Sequence, residues 1–331
     1  MLIFLSSCAR NIYEVTYPTL GDGKYDSEFP YRSSSRQLEE IAATVKMINV
    51  IGFYKSFVFD QALGLTDDRI DRTTLPSQAS EIIHYNSTAS GTATVIQFRN
   101  NRIALITCAH VVSLPDTLVN YYDDNKTIIQ SIAIKDRQIN YINDLPGDGD
   151  IEILFVDKKL DMAIVGKKLT STPVPPIPVF NYPFGRAREL EWGSFVYLFG
   201  YPVGNKMITK GIVSSPHLDN DRGFLIDAPF NRGSSGGIVL AIRDGIPNFE
   251  LVGLASSVSA NIDYVLAPGK TTDADKIDTH LPYHGEIFLR QQETIRYGIT
   301  HIIAIEAIVK SLRANRHNFQ AQGYDFSDLF D

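Results

Sequence analysis

The chain contains little cysteine: only Cys8 and Cys108 occur among its 331 residues. A disulfide framework of the kind that supports small secreted domains is therefore excluded. Long apolar runs are also missing, since none approaches the ~20 residues of a membrane-spanning helix, and no transmembrane helix is expected. Basic residues form no stripe, and the net charge is −7. Because nucleic-acid binding calls for clustered positive charge, a nucleic-acid partner is not expected.

Hydrophobic residues make up 44% of the chain, which is enough to bury a substantial core. The length suits one large domain with extensions or two moderate domains. From about residue 78, short β-rich runs alternate with turn residues, which indicates an all-β sandwich or barrel. Asn100-Asn101 and Asp219-Asn220-Asp221 are predicted hairpin turns.

Three short segments carry the residue types of one acyl-transfer chemistry. They are Thr107-Cys108-Ala109-His110, Asp161-Met162-Ala163 and Gly233-Ser234-Ser235-Gly236-Gly237. A serine hydroxyl needs an imidazole to take its proton, and an acid behind the imidazole fixes its tautomer. His110 is therefore the predicted base, Asp161 the orienting acid and Ser235 the nucleophile.

Two neighbouring residues compete for these roles. Ser234 is an alternative nucleophile, but the motif position two residues after Gly233 favours Ser235. Asp157 is an alternative acid, but it lies in a polar turn, whereas Asp161 opens an apolar run that would hold it partly buried. Because glycine allows unusual backbone angles, the N–H groups of Gly233 and Ser235 can be aimed at a developing oxyanion.

In this order the segments resemble those of the trypsin-like serine peptidases, particularly the bacterial Deg/HtrA branch. Further similar segments are Ser90-Gly91-Thr92, Leu198 to Gly204, Thr209 to Ser214, Asp227 to Arg232 and Ile299 to Ile305. The resemblance covers about residues 78–313. It implies two six-stranded antiparallel β-barrels with the site in their cleft, where the first barrel carries His110 and Asp161 and the second carries Ser235.

The same resemblance implies a serine endopeptidase that forms an acyl-enzyme on polypeptide substrates and needs no cofactor. No segment of the size of a PDZ domain remains, so the resemblance is to the protease part of the Deg/HtrA proteins. A catalytically silent or partner-activated binding protein of the same fold is the alternative function.

The sequence departs from the family pattern at Cys108, where Asn is usual, and at Arg232, where Pro is usual. A guanidinium beside the oxyanion loop would favour an acidic or carboxylate-bearing partner. The family's specificity wall includes the residue six before the nucleophile, here Pro229. Pro229, Asn231 and Arg232 are the predicted substrate-binding residues. Because Pro229 is uncharged, cleavage after small or medium apolar residues is expected.

Residues 1–34 are predicted to form a tether, and residues 35–77 a helical extension. The second prediction follows from helical spacing in the set Leu38, Ile41, Ala42, Val45 and Ile48. Such a helix would pack on the protease body or mediate self-association. Residues 305–313 have the spacing of a terminal helix, and residues 314–331 form a short tail.

Residues 259–293 are predicted to be a polar surface loop. The potential metal ligands in it are Asp275, Asp278, His280 and His284. Pro282 separates the two histidines, so they cannot share a helix face, and no metal site is expected.

Leu5-Ser6-Ser7-Cys8 fits the pattern of a bacterial lipobox, in which the cysteine is lipidated. The apolar stretch before it is shorter than the ~7 to 15 residues of a signal peptide, which favours a true start upstream of Met1 over an accidental match. We therefore expect a location in the cell envelope, periplasmic or extracellular, with possible membrane attachment through lipidated Cys8.

Overall fold

The computed structural model describes residues 20–67, 70–71, 73–123, 125–147, 149–170, 173, 175–218, 223–268, 285 and 287–329. The strands are β1 Val45–Val58, β2 Glu81–Arg99, β3 Arg102–Thr107, β4 Thr117–Tyr121, β5 Ile129–Tyr141, β6 Glu152–Asp157, β7 Met162–Lys168, β8 Phe195–Gly200, β9 Met207–Ser215, β10 Gly223–Ile226, β11 Ile238–Ile242, β12 Phe249–Pro268 and β13 Ile287–Ala304. The helices are α1 Ser35–Thr44, α2 Leu75–Gln78, α3 Ala109–Val112, α4 Ile305–Ala314 and α5 Arg316–Ala321. Single 3-10 turns occupy Gln61–Leu63, Ala187–Glu189, Pro202–Gly204 and Ser327–Leu329.

The strands form two antiparallel systems. The first is a curled seven-stranded sheet, which we call the half-barrel, in the order β4-β5-β1-β2-β3-β7-β6. The second is a closed barrel in the order β10-β13-β12-β11-β8-β9. The all-β prediction is therefore confirmed, and so is a closed six-stranded barrel for the second unit. The first unit differs from the prediction, because its described residues form a curled sheet of seven strands and not a closed barrel of six.

Apolar side chains fill both units. β7 and β11 show near-continuous burial rather than alternation, as expected for strands covered on both faces. A smaller separate cluster supports the far end of the half-barrel, with Phe57, Phe59, Leu65 and Leu75 fully or nearly fully buried. Within the described residues, no helix combines the length and the apolar character needed to cross a bilayer.

The hairpin predicted at Asn100-Asn101 is present. Both residues have positive φ, 51° and 57°, and Arg99 pairs with Arg102 across the turn. Asparagine tolerates this left-handed conformation better than most residues, and two such residues in succession define the hairpin turn whose twist matches the strands. The second predicted turn, at residues 219–221, lies outside the described residues.

The helical extension predicted for residues 35–77 is wrong over Val45–Val58, which form a strand. The helix α1 contains Leu38, Ile41 and Ala42, but Val45 and Ile48 lie in β1, which pairs with β2 along its whole length. From Val45 the buried positions alternate with period two, which is the spacing of a strand. The helical spacing was a coincidence of two overlapping patterns.

The surface loop predicted for residues 259–293 is also wrong at both of its ends. β12 continues to Pro268 and β13 begins at Ile287, and these ends pair with each other in a long hairpin. The residues singled out as potential metal ligands, Asp275, Asp278, His280 and His284, lie outside the described residues. The terminal helix is present as α4, Ile305–Ala314.

The segment after α4 returns to the half-barrel. Phe319, Tyr324 and Phe326 are buried, and Phe319 meets Phe155 of β6 edge to face. A Cβ on Gly166 of β7 would lie 2.4 Å from the Tyr324 hydroxyl, so the tail fits a space that only glycine leaves open. The predicted short tail is therefore a packed part of the fold.

The described part of the predicted tether lies against the closed barrel. The Asp26 N–H donates to the Ile242 carbonyl, and the Asp26 carbonyl accepts from the Phe195 N–H. The Asp26 side chain is also buried and accepts from the Gly245 N–H at 3.1 Å. Burial raises the pKa of Asp26 to about 6, although the hydrogen bond from Gly245 acts in the opposite direction.

We expect Asp26→Asn to remove one component of the pH dependence of stability. Because the folded pKa lies above the unfolded value, the favourable contribution of protonated Asp26 is present below about pH 4 and is lost as pH rises through about 6. The unfolding free energy of the variant relative to wild type should therefore increase from pH 4 to pH 7, by up to about 3 kcal/mol. Urea unfolding at both pH values measures this change.

Asp22→Asn is the matched control, because Asp22 is exposed on the same segment and its substitution removes one charge without removing a buried carboxylate. Parallel pH profiles for wild type and Asp26→Asn would contradict the prediction.

Candidate active site

His110 and Asp161 meet because their strands are neighbours in the half-barrel. β3 and β7 are antiparallel, and Thr107 at the end of β3 lies opposite Ala163 near the start of β7. The residues just beyond these ends therefore lie at the same edge of the sheet. His110 follows in α3, the single turn of helix after β3, and Asp161 immediately precedes β7.

The Asp161 carboxylate binds His110 at two points. His110 Nδ1 lies 2.8 Å from Oδ2 and 3.0 Å from Oδ1, and the His110 backbone N–H donates to Oδ1 at 3.0 Å. Asp161 has a positive φ of 58°, and its carbonyl accepts from the Ala109 N–H at 3.1 Å. The ring of His110 therefore has its Nδ1 side fixed, so a neutral ring would carry its proton there.

Ser256 of β12 supplies a further hydrogen bond to this acid. Its hydroxyl donates to Asp161 Oδ2 at 2.5 Å. Burial of Asp161 opposes ionisation, but the hydrogen bonds from His110 and Ser256 outweigh it and hold the pKa of Asp161 below its ordinary value. The carboxylate is therefore stabilised in the charged form that would stabilise an imidazolium.

Ser235 lies on a loop made of two consecutive turns. The Ser234 N–H bonds to the Asn231 carbonyl, and the Gly237 N–H bonds to the Ser234 carbonyl. The third position of each turn is a glycine with positive φ, 97° at Gly233 and 84° at Gly236. A Cβ at Gly233 would lie 2.3 Å from the Tyr201 carbonyl oxygen, so no other residue fits there without movement.

The N–H groups of Gly233 and Ser235 donate to no other group in the described part of the chain. Their neighbours do not share this property, because the Ser234, Gly236 and Gly237 N–H groups are all bonded within the site. Backbone donors that are ordered but unpaired are the groups that stabilise a developing oxyanion. The predicted pair is therefore available for this role.

Ser256 connects the nucleophile to the acid. The Ser235 hydroxyl donates to the Ser256 carbonyl at 3.1 Å, while the Ser256 hydroxyl bonds to Asp161. Residues from three remote segments thus share one chain of hydrogen bonds. Within the described residues, Ser235 Oγ makes no hydrogen bond to His110, so direct proton transfer requires rotation of the serine side chain. The catalytic roles of His110, Asp161 and Ser235 stay predictions.

The structure distinguishes each candidate from its competitor. Asp157 accepts from the N–H groups of Lys159 and Leu160 and from the Ser311 hydroxyl, so it stabilises a turn and the helix α4. Ser234 is 2% exposed, and its hydroxyl faces the Asn231 N–H inside the loop. Asp161 and Ser235 are the members of each pair that share the chain through Ser256.

Cys108, His110 and Asp161 form a group whose potential metal-ligating atoms lie within 4.8 Å of one another. The thiol is buried and donates to the Ala255 carbonyl at 3.3 Å. Burial, with the nearby charge of Asp161, raises the pKa of the Cys108 thiol well above its ordinary value. Because a metal needs the thiolate and the Asp161 oxygens already accept several hydrogen bonds, the arrangement suits a triad better than a metal site.

Residues 91–254 match the family model described as the trypsin-like peptidase domain. The chain contains a trypsin-like peptidase domain. A solved structure of the serine endoprotease from Yersinia pestis is similar at 16% sequence identity, with a TM-score of 0.41, over 87% of this chain and 67% of that chain. No curated protein sequence matches the chain.

The predicted substrate-binding residues lie next to the nucleophile loop of the peptidase domain. Pro229 and Arg232 are exposed, and Asn231 is half-buried at the start of the first turn. Their roles in substrate binding, and the preference for apolar residues, stay predictions. Cys8 lies outside the described residues.

Sequence reasoning missed Ser256. No local signal marks the residue, because Ser256 and Ser257 are adjacent and equally polar, and only the fold turns one hydroxyl toward Asp161. It also missed the function of Thr92. The Thr92 hydroxyl donates to the Gly233 carbonyl at 2.7 Å and accepts from the Tyr201 N–H at 2.9 Å, while the Thr92 N–H donates to the Ser235 carbonyl at 2.8 Å.

We expect Thr92→Val to destabilise the peptidase domain by about 2 to 4 kcal/mol, because it leaves the Gly233 carbonyl and the Tyr201 N–H without their buried partner. Thr94→Val is the matched control. Thr94 lies two residues along the same strand, is equally buried, and its hydroxyl has no hydrogen-bond partner. This second variant should be neutral or stabilising.

Urea unfolding curves of both variants measure the difference. Equal losses of stability would show that the hydroxyl of Thr92 has no special role at the nucleophile loop.

Proposed function

We propose that the chain is a serine endopeptidase that hydrolyses peptide bonds through His110, Asp161 and Ser235. One observation carries the proposal: the Asp161 carboxylate holds His110 Nδ1 at 2.8 Å, and the segment of Ser256 connects this pair to Ser235. The match of residues 91–254 to the trypsin-like peptidase domain supports the same reaction class.

The first chemical step is attack of Ser235 Oγ on the carbonyl carbon of the scissile bond. His110 Nδ1 faces Asp161, so Nε2 is the ring nitrogen that receives the serine proton. The oxygen of the tetrahedral intermediate accepts hydrogen bonds from the N–H groups of Gly233 and Ser235. Asp161 remains ionised throughout and stabilises the imidazolium that forms.

The second step breaks the carbon–nitrogen bond. The imidazolium gives its proton to the leaving amine, and the acyl group stays on Ser235. Water then attacks the ester with His110 again acting as base, which releases the acid product and restores the serine. The two steps together consume one water molecule for each peptide bond that is hydrolysed.

The hydrogen bond from Ser235 Oγ to the Ser256 carbonyl favours a second candidate function, that of a catalytically silent binding protein. In this rotamer the hydroxyl is not bonded to the base, so a chain held in it would bind polypeptides without cleaving them. We expect the contact to be weak enough to exchange, because a neutral hydrogen bond contributes only about 0.5 to 1.5 kcal/mol. A partner that stabilised the rotamer would keep the site silent.

A fluorophosphonate probe separates the two candidates, because it reacts covalently with an activated serine. Wild type should be labelled at Ser235, and Ser235→Ala should not. His110→Ala should slow labelling by about 100-fold or more, since it removes the general base. Ser234→Ala is the matched control and should label as wild type does. A folded wild-type chain that stays unlabelled would support the silent binding protein.

We infer further that the chain acts at the cell envelope, attached through a lipid on Cys8. The lipobox-like Leu5-Ser6-Ser7-Cys8 supports this location. Metabolic labelling with a fatty acid, on a chain expressed from an upstream start, should incorporate label in wild type and not in Cys8→Ser. A wild-type chain without label would overturn the lipid attachment.

A further inference from the structure

The first part of β2 has a neighbour on one side only. Residues 81–94 pair with β1, but pairing with β3 on the other side begins at Thr94. Every residue from Glu81 to Ser90 is exposed or half-buried. We call residues 81–90 the open edge.

The orientation of the unpaired groups follows from Thr92. Its N–H donates to the Ser235 carbonyl and its carbonyl accepts from the Thr107 hydroxyl, so both groups point away from β1. The pairing of β1 with β2 continues without a register shift to Glu81. Because the direction of backbone groups alternates along a strand, the N–H and C=O groups of every second residue also point outward. These residues are Ile82, His84, Asn86, Thr88 and Ser90.

Within the described residues, none of these outward backbone groups has a hydrogen-bond partner. The row spans about 27 Å, since a strand rises about 3.4 Å for each residue. Proteins usually protect such an edge with lysine, proline or a bulge. The open edge has no Lys, Arg or Pro and no register shift, and it is rich in residues that favour strands, such as Ile82, Ile83 and Tyr85.

The open edge leads directly to the nucleophile. Ser90 precedes Gly91 and Thr92, and Thr92 binds the backbone of Ser235. A polypeptide that leaves Ser235 along this edge runs opposite to β2, which is the antiparallel arrangement. Antiparallel pairing is slightly more stable than parallel pairing. The segment that runs away from the scissile bond toward its own carboxyl end is therefore the one that fits.

We propose that the open edge binds, as an added antiparallel strand, the roughly eight to ten substrate residues that follow the scissile bond. The proposal rests on the proposed peptidase function and names its substrate class: extended, unfolded polypeptides rather than short peptides. Main-chain hydrogen bonds provide this affinity, so the substrate sequence is constrained mainly by the exclusion of proline.

A groove lies on the face of the half-barrel, on the other side of β2 from the open edge. It has a volume of about 720 Å³ and is lined by residues of β1, β2 and β5. Tyr54 and Tyr85 stack with ring centres 5.4 Å apart, and the Arg137 guanidinium lies 4.2 Å from the centre of the Phe53 ring. Because β1 and β5 lie on the paired side of β2, this groove is not part of the proposed binding edge.

Binding is measured on the full chain carrying Ser235→Ala, so that no cleavage occurs. The probes are dye-labelled peptides with Ala-Ala before the bond and two, six or ten alternating Thr and Ser residues after it. Fluorescence anisotropy should give an affinity that rises about tenfold or more from the shortest to the longest probe, because several hydrogen bonds are added. Equal affinities would overturn the proposal.

N-methylation of the longest probe tests the strand geometry. Removing a single N–H should weaken binding about threefold or more at alternate positions and have little effect at the positions between them, since only every second residue faces the edge. A uniform response along the probe would overturn the proposal.

Asn86→Pro tests the protein side, because it removes an outward N–H while leaving the bonds to β1 in place. This variant, in the Ser235→Ala chain, should lose most of the length dependence, whereas Asn86→Ala should keep it. In the chain with Ser235 present, both variants should keep the wild-type rate of fluorophosphonate labelling. Equal losses in the two variants would assign the effect to the side chain and overturn the proposal.

Two further outcomes distinguish the rival explanations. If Ser235 is labelled by fluorophosphonate but the long probe binds no better than the short one, the proposal that the open edge binds substrate is wrong. The proposed peptidase function would then still be supported. If sedimentation shows a wild-type dimer and a monomeric Asn86→Pro chain, the edge pairs with a second copy, and the substrate proposal is overturned.

Discussion

The site depends on the hydrogen bonds between Thr92 of β2 and the nucleophile loop, residues 231–237. The Thr92 backbone binds Ser235 and its hydroxyl binds Gly233, and both contacts cross from the half-barrel to the closed barrel. The loop contains two turns with glycines in positive φ, so it has little intrinsic preference for one shape. A buried threonine that makes four hydrogen bonds supplies the constraint that the loop itself lacks.

The acid side of the site follows a different logic. Asp161 is partly withdrawn from water, which disfavours its charge, and three donors compensate: the ring and backbone of His110 and the hydroxyl of Ser256. Desolvation and hydrogen bonding thus act in opposite directions, and hydrogen bonding prevails. Ser256 belongs to the closed barrel, whereas Asp161 belongs to the half-barrel. Docking of the two units therefore supplies one of the hydrogen bonds that hold the pKa of Asp161 below its ordinary value.

The sequence predicted the parts of the site that carry distinctive chemistry. His110, Asp161 and Ser235 stood out because their residue types occur in short motifs, and Asn100-Asn101 stood out because few residues accept two positive φ angles in succession. Ser256 and Thr92 did not stand out, since a serine or threonine in a strand has no local mark of its partner across the fold. Such contacts between residues far apart in sequence are set by packing.

The errors in the fold have a similar cause. Apolar residues at Leu38, Ile41, Val45 and Ile48 satisfy a helical period and, from Val45 onward, a strand period as well. Pairing with β2, which begins more than thirty residues later, favours the strand over the helix for β1 along its whole length. The long hairpin of β12 and β13 was read as a loop because its polar composition hides pairing that depends only on the backbone.

The return of residues 319–326 to the half-barrel has a consequence for biosynthesis. The side chains that cover part of β6 and β7 leave the ribosome after both strand systems have been made. The unit that carries His110 and Asp161 therefore keeps an uncovered apolar surface throughout translation of the unit that carries Ser235. The packing of the first unit is therefore completed only after the second unit has been synthesised. A nascent chain that stops before residue 319 lacks the side chains that complete it.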